Sequence, residues 1–242
     1  MRAGPERVVL RKGETFRLVC VPFGGGSARS FTRLARHLPD DWAIIAVQPP
    51  AAFDPGDDGL DRLARFYLGL LAGDLRGPGM VFGHSLGAAV THRMVQLHGD
   101  WPADLRVVLS APPRPQTSTG DLRGLDDRDL LREATARGML PDLRLDEDFA
   151  VRFVIPHLRA DLGVLGGRGW QPEPLAPPVH LLWGEQDTAC PPSVATAVRE
   201  LLQPRTFHLL RGAGHMYVVE DPVRTADVLT SLPTAEPAPS EA

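Results

Sequence analysis

The chain predicts an α/β fold: a mostly parallel central sheet with helices on both faces and one helical insertion. Three observations carry this. Short apolar runs recur along the chain. Between them lie stretches with apolar residues at helical spacing. The alternation breaks once, between Ala111 and Pro178, and then resumes. Strand–helix–strand repeats of this kind form right-handed crossovers on a mostly parallel sheet.

Phe16–Val21 reads as a short buried strand running into the turn Pro22-Phe23-Gly24-Gly25-Gly26-Ser27. Phe31, Leu34, Ala35 and Leu38 mark one face of a helix that Pro39 stops. Trp42–Val47 is the next strand, closed by Gln48-Pro49-Pro50. A helix over Leu60–Leu75, a strand at Met80–Phe82, a helix over Leu86–Leu97 and a strand at Leu105–Leu109 follow. The insertion holds helical stretches near Asp126–Arg137 and Asp146–Leu165 with no strand between them. The rhythm resumes with a strand at Val179–Trp183, a helix near Ser193–Leu202, a strand at Thr206–Leu210 and a helix from Asp221 to Leu232. Residues 1–232 thus read as one domain with an insertion over 111–178, because the insertion has too few large apolar residues for a core of its own. The Pro/Ala/Glu-rich end, 233–242, reads as a disordered tail.

Composition narrows the function classes. With 43% hydrophobic and 23% charged residues, a mainly disordered chain is excluded. No apolar run approaches the roughly 20 residues of a membrane span, and Met1–Arg7 lacks the apolar core of a signal peptide. A cytoplasmic protein is therefore expected. The net charge of -4 lacks the basic excess of a nucleic-acid binder. Cys20 and Cys190 form neither a disulfide framework nor a metal spacing, and read as small buried apolar residues.

The chemistry is concentrated in three loops. Gly83-His84-Ser85-Leu86-Gly87 is a G-x-S-x-G sequence between a predicted strand and a predicted helix. That context demands a sharp turn with Ser85 at its tip, and it aims the Leu86 amide into the same space from a helix N-terminus. A serine hydroxyl needs a base, and the base needs an orienting carboxylate. In the α/β-hydrolase order, acid and histidine follow the serine. Asp187, in Gly184-Glu185-Gln186-Asp187, and His215, in Gly212-Ala213-Gly214-His215, each lie just beyond a predicted strand. Glu185 is the competing carboxylate. Asp161 reads as a solvated helix position, Asp221 as a helix N-cap followed by Pro222, and His84 as a residue that supports the turn. The glycines of Pro22–Gly26 would let backbone amides approach a substrate oxygen and supply the second oxyanion donor. They match no phosphate-binding pattern, and no His/Cys/Asp spacing proposes a metal.

With these motifs in place, the chain resembles the type II thioesterases of polyketide and nonribosomal peptide pathways. The likeness runs from about Phe16 to Asp221. It rests on Val21-Pro22-Phe23-Gly24-Gly25-Gly26-Ser27, the serine motif, Gly184–Asp187, Gly212–His215 and Pro156-His157-Leu158-Arg159-Ala160-Asp161. The resemblance implies hydrolysis of acyl groups from the phosphopantetheine thiol of carrier proteins, without a cofactor, by a monomer that binds neither nucleic acid nor membrane. It implies Ser85 as nucleophile, His215 as base, Asp187 as its orienter, Leu86 and Gly24 as oxyanion donors and residues 111–178 as a lid. Where the family continues Q-x-P-G-R, this chain has Gln48-Pro49-Pro50-Ala51-Ala52-Phe53. That departure leaves acyl preference, and editing against product release, open. A small-ester esterase and a silent binding scaffold are the other readings.

Leu130, Met139, Leu140, Phe149, Phe153 and Leu158 are candidates for an acyl pocket. The many arginines of the insertion are candidates for a basic rim facing a carrier protein, or for simple ion pairs with neighbouring acids.

Overall fold

Two apolar faces alternate along each central strand, so each strand must be covered from both sides. In Phe16–Val21, Leu18 and Cys20 join one buried cluster while Val19 and Val21 join the other. The computed structural model describes residues 6–50, 53, 55–56, 58–115, 120–142, 146–166 and 169–233. The expected tail therefore lies, from residue 234 on, outside the described residues.

The chain runs β1 (Glu6–Arg11), β2 (Phe16–Val21), a 3₁₀ turn (Ala28–Phe31) leading into α1 (Thr32–Ala35), β3 (Trp42–Gln48), α2 (Gly59–Leu71), β4 (Gly79–His84), α3 (Leu86–His98) and β5 (Leu105–Ser110). Then come α4 (Gly120–Arg123), α5 (Asp127–Ala136), α6 (Glu147–Phe153) and α7 (Ile155–Val164). β6 (Val179–Gly184), α8 (Pro192–Leu202), β7 (Thr206–Leu210), α9 (Tyr217–Glu220) and α10 (Pro222–Ser231) complete it. The sheet order is β1-β3-β2-β4-β5-β6-β7. Among the described strands only β1 is antiparallel to its neighbour; the rest form one parallel ladder. Apolar residues of α2, α3 and α8 cover one face, and those of α1, α9 and α10 cover the other.

The structure departs from the sequence reading in four places. β1 is an added strand, with Glu6 paired to Gln48 and Val9 to Ile45. The first helix shrinks to four residues because the Arg11 guanidinium takes the carbonyls of Ala35, Leu38, Pro39 and Trp42, fixing the chain as it leaves the helix. The stretch read as one helix over Asp146–Leu165 is two, broken at Val154 where Pro156 brings no amide hydrogen. Among its described residues the insertion holds four helices, with a small core of Leu122, Leu130, Ala134, Ile155, Leu158 and Leu162. Asp221 caps α10 as read, accepting the Arg224 amide, with Pro222 in the first turn. Cys20 and Cys190 are buried free thiols. Among the described residues no helix is long and apolar enough to cross a membrane.

Strand β1 is anchored to the turn after α2 by charge. Asp74, with its side chain 6% exposed, receives Arg7 Nε at 2.5 Å and Nη2 at 2.7 Å, and Arg17 stands 3.9 Å away. Removing the carboxylate strands two guanidinium groups that are themselves partly covered. Asp74→Ala should lower unfolding free energy in urea by about 2 kcal/mol. An unchanged midpoint would show that β1 is held by its ladder alone.

Candidate active site

The parallel ladder sets where the loops leave the sheet. Val21 pairs with Gly83, His84 with Ser110, Ser110 with Leu182, and Gly184 with Leu210. Five strands thus end at one edge, and the loop after each opens onto the same space. Ligands gather at this edge of open parallel sheets.

At the centre, β4 passes into α3 through Ser85, whose φ of 52° and ψ of −119° are strained for a residue with a side chain. The turn closes because its glycines allow contact. A Cβ on Gly83 would lie 2.2 Å from the Gly87 carbonyl oxygen, and one on Gly87 would lie 2.3 Å from that of Val21. The Ser85 amide donates to the Ser110 carbonyl at 2.8 Å, tying the tip to β5.

Ser85, Asp187 and His215 come together. His215 Nε2 is 3.0 Å from Ser85 Oγ, and His215 Nδ1 is 2.7 Å from Asp187 Oδ2. A carboxylate only accepts, so the Nδ1 proton points at Asp187 and leaves Nε2 to accept the serine proton. Asp187 Oδ1 takes the Cys190 amide at 2.6 Å. Both Asp187 and His215 are buried. Glu185 points elsewhere and accepts the Gly212 amide at 2.8 Å, so the carboxylate facing the histidine is Asp187. The arrangement can deprotonate Ser85 for attack on a carbonyl.

His84 supports the elbow. Its Nδ1 lies 2.9 Å from Ser110 Oγ, which in turn meets the Tyr217 hydroxyl. Its ring centre lies 5.1 Å from that of His215, tilted to it, and 5.1 Å from that of Tyr217, edge to face. Burial first, and then the neighbouring His215, hold its pKa well below the usual imidazole value, so it stays neutral.

The Gly24 and Leu86 amides border the same cavity as Ser85 and His215. Neither donates to a backbone acceptor among the described residues. The cavity holds about 550 Å³, and the inserted segment supplies much of its wall through Leu122, Met139, Leu158, Asp161, Leu162 and Leu165. Trp170, Arg114 and Arg137 also line it. Of the residues expected in an acyl pocket, Met139 and Leu158 line it. Leu130 belongs to the core of the insertion, Leu140 borders a separate groove, and Phe149 and Phe153 pack on each other in solvent. Four of the seven described arginines of the insertion are in ion pairs: Arg128 with Glu147 and Asp148, Arg132 with Asp129, Arg137 with Glu133, and Arg159 with Asp127. Arg144 and Arg168 lie outside the described residues.

Two features escaped sequence reasoning. Asp161 is not a solvated helix position. It borders the cavity, and its Oδ2 accepts the Gly25 amide at 2.7 Å. Asp187, Cys190 and His215 also come close enough to be considered as metal ligands. Both oxygens of that aspartate are already engaged, and burial raises the Cys190 thiol away from the thiolate form that binds metal.

The family model described as "Thioesterase domain" matches residues 16–232. The chain is 32% identical over 214 residues to the thioesterase PikA5 of Streptomyces venezuelae, covering 84% of this chain and 75% of that one. It is 29% identical over 180 residues to the AMB antimetabolite synthetase AmbE of Pseudomonas aeruginosa, covering 71% of this chain but only 8% of that much longer protein. Among solved structures, the type II thioesterase BorB from the borrelidin biosynthetic cluster is 28% identical, with a TM-score of 0.77, over 93% of this chain and 96% of its own. The mostly parallel sheet and this likeness make the fold an α/β-hydrolase fold.

The Asp187 and His215 loops also lean on each other through backbone. The Gln186 amide donates to the Ala213 carbonyl at 2.9 Å. A Cβ on Gly184 would sit 2.4 Å from the Gly214 carbonyl oxygen and 2.6 Å from that of Ala213. Gly184→Ala should therefore push the two loops apart, costing about 1–3 kcal/mol and at least tenfold in turnover of an acyl thioester. Native melting and native rate together would contradict this tight seam.

Proposed function

The chain belongs to the thioesterase domain family, and we propose that it hydrolyses acyl thioesters held on the phosphopantetheine arm of carrier proteins in polyketide or nonribosomal peptide assembly lines, acting as an editing enzyme. The observation that carries this is the family match over residues 16–232 combined with Ser85 within hydrogen-bond reach of a histidine that Asp187 orients. The names of the relatives support a biosynthetic setting: PikA5 is a thioesterase, and BorB is a type II thioesterase from a biosynthetic cluster.

In this reading Ser85 is the nucleophile, His215 the base and Asp187 the residue that holds its tautomer. Ser85 Oγ attacks the thioester carbonyl while its proton passes to His215 Nε2. The carbonyl oxygen becomes an oxyanion facing the Leu86 and Gly24 amides, each donor worth about 10²–10³ in rate. The carbon–sulfur bond breaks, the thiol leaves with the proton returned by His215, and the acyl group stays on Ser85 as an ester. Water then gives a proton to His215 and attacks the ester. Collapse releases the acid, and the proton returns to Ser85 Oγ. No cofactor enters the balance.

Residues 1–232 act as one domain in this account, with residues 111–178 serving as the lid. Its supports are the inserted side chains in the cavity wall and the small size of the insertion's own core. We place the protein in the cytoplasm as a monomer, where two buried free thiols suit a reducing medium.

Ser85→Ala should keep its fold and lose about 10³-fold or more in acyl-carrier hydrolysis, because the three residues act as a unit. Near-native turnover in the folded variant would remove the nucleophile assignment. Asp187→Asn should fall severely while Glu185→Gln stays close to native, and the opposite ranking would mean that the wrong carboxylate is assigned. Native protein should hydrolyse an acyl-carrier protein with higher kcat/KM than an acyl-nitrophenyl ester; the reverse preference would favour a small-ester esterase.

A further inference from the structure

The segment Pro156–Asp161 is unexplained by the catalytic chemistry, yet the structure gives each of its key side chains a distinct task. Pro156 starts α7. Arg159 turns outward and ties the helix down, donating to the carbonyls of Arg123 at 2.9 Å and Leu125 at 2.8 Å and to the Asp127 carboxylate at 2.7 Å. Leu158 and Asp161, three apart, share the opposite face, and both rest on the glycine loop after β2. A Cβ on Gly24 would lie 3.5 Å from Leu158 Cδ1 and 3.6 Å from Asp161 Cβ, so the loop and helix are already in contact. Gly25 has a φ of +76°, and its amide donates to Asp161 Oδ2 at 2.7 Å.

We propose that Asp161 is a positioning residue: by receiving the Gly25 amide it fixes the loop that presents the adjacent Gly24 amide to the oxyanion, and it makes that alignment conditional on the seating of α7. The inference rests on the reading of Gly24 as an oxyanion donor. It gives the insertion a second role beyond covering the cavity: the site is complete only while the helix is in place.

The electrostatics have a definite sign. Burial pushes the Asp161 carboxyl up to about 7, against the opposing pull of the Gly25 amide. Tyr67 of α2 is the titratable group facing it, and its phenol is raised first by burial and then by the charge of Asp161. The glycine loop offers no ionisable side chain here, and His157 and Arg159 are the other ionisable groups of α7 near it in sequence. Across the cavity stand His215, Arg114 and Arg137. An acid whose pKa is raised in the seated arrangement gains a proton on seating, so seating is fully supported below the ordinary carboxylate value and weakens as pH rises through about 7. Ionised Asp161 would also place negative charge beside the developing oxyanion. Both effects lower turnover on the alkaline side.

The test measures kcat and KM with a small acyl-pantetheine thioester for native protein, Asp161→Ala, Asp161→Asn and Ser85→Ala, from about pH 5.5 to about pH 9. Asp161→Ala should lose about tenfold to hundredfold in kcat, part of the value of one oxyanion donor, with KM within about threefold of native. Asn still offers a carbonyl to Gly25, so Asp161→Asn should recover most of the kcat lost in Asp161→Ala. It should also lack the alkaline fall through about pH 7 expected of the native protein. Native kcat in Asp161→Ala, a loss confined to KM, an Asn variant as slow as the Ala variant, or a native-like pH step in Asp161→Asn would each overturn the proposal. If Asp161→Ala fails to fold, the rate and profile of Asp161→Asn decide. Turnover retained in Ser85→Ala would instead bring down the underlying thioesterase mechanism, whereas an inert Ser85→Ala beside a native-like Asp161→Ala would remove only the role of Asp161.

Discussion

The register of the parallel ladder is the constraint on which the site depends. Because Val21, Gly83, Ser110, Leu182, Gly184 and Leu210 fall along matched ends of adjacent strands, loops far apart in sequence are delivered to one edge. A slip of one residue would turn every side chain of a strand to the other face. The two apolar clusters forbid this, since Leu18 and Cys20 would exchange environments with Val19 and Val21. The elbow adds a local constraint of its own. Gly83 and Gly87 permit backbone contacts that any Cβ would block, and the ladder holds Ser85 in a backbone conformation it would not adopt alone.

Around that edge the polar groups are arranged so that few are left to compete with the chemistry. His84, Ser110 and Tyr217 form a buried chain beneath His215. Burial keeps His84 neutral, so it adds no positive charge next to the histidine proposed as base. Asp187 spends one oxygen on the Cys190 amide and the other on His215, which fixes the carboxylate from two sides. Gly24 and Leu86 line the cavity, in keeping with the proposed stabilisation of a tetrahedral intermediate by their amides.

Much of this was legible in the sequence, and the reasons are specific. Ser85 stands in a motif whose meaning depends on a strand before it and a helix after it, and both were readable from periodicity. Asp187 and His215 follow strands at short range, so their edge was readable too. Strand β1 was not. Its six residues carry charge at Glu6, Arg7 and Arg11, and it gains its place by pairing with β3, a non-local ladder that no local pattern reports. Asp161 was misread for a related reason. Helical spacing puts it on a face with Leu158, but the Gly25 amide that it receives lies 136 residues away in sequence. The break between α6 and α7 had a visible signal in Pro156, which the apolar periodicity of Phe149, Phe153 and Leu158 masked.

The account stands on a covalent acyl group at Ser85, and the most direct measurement is the mass of the protein caught during turnover. Native protein mixed with a slowly hydrolysed acyl-carrier protein, quenched in acid and digested, should show one acyl increment on the peptide that contains Ser85. The increment should appear before the free acid and decay with it. An increment on another residue, such as the nearby Cys190, or steady hydrolysis with no acylated protein at any time, would contradict the account.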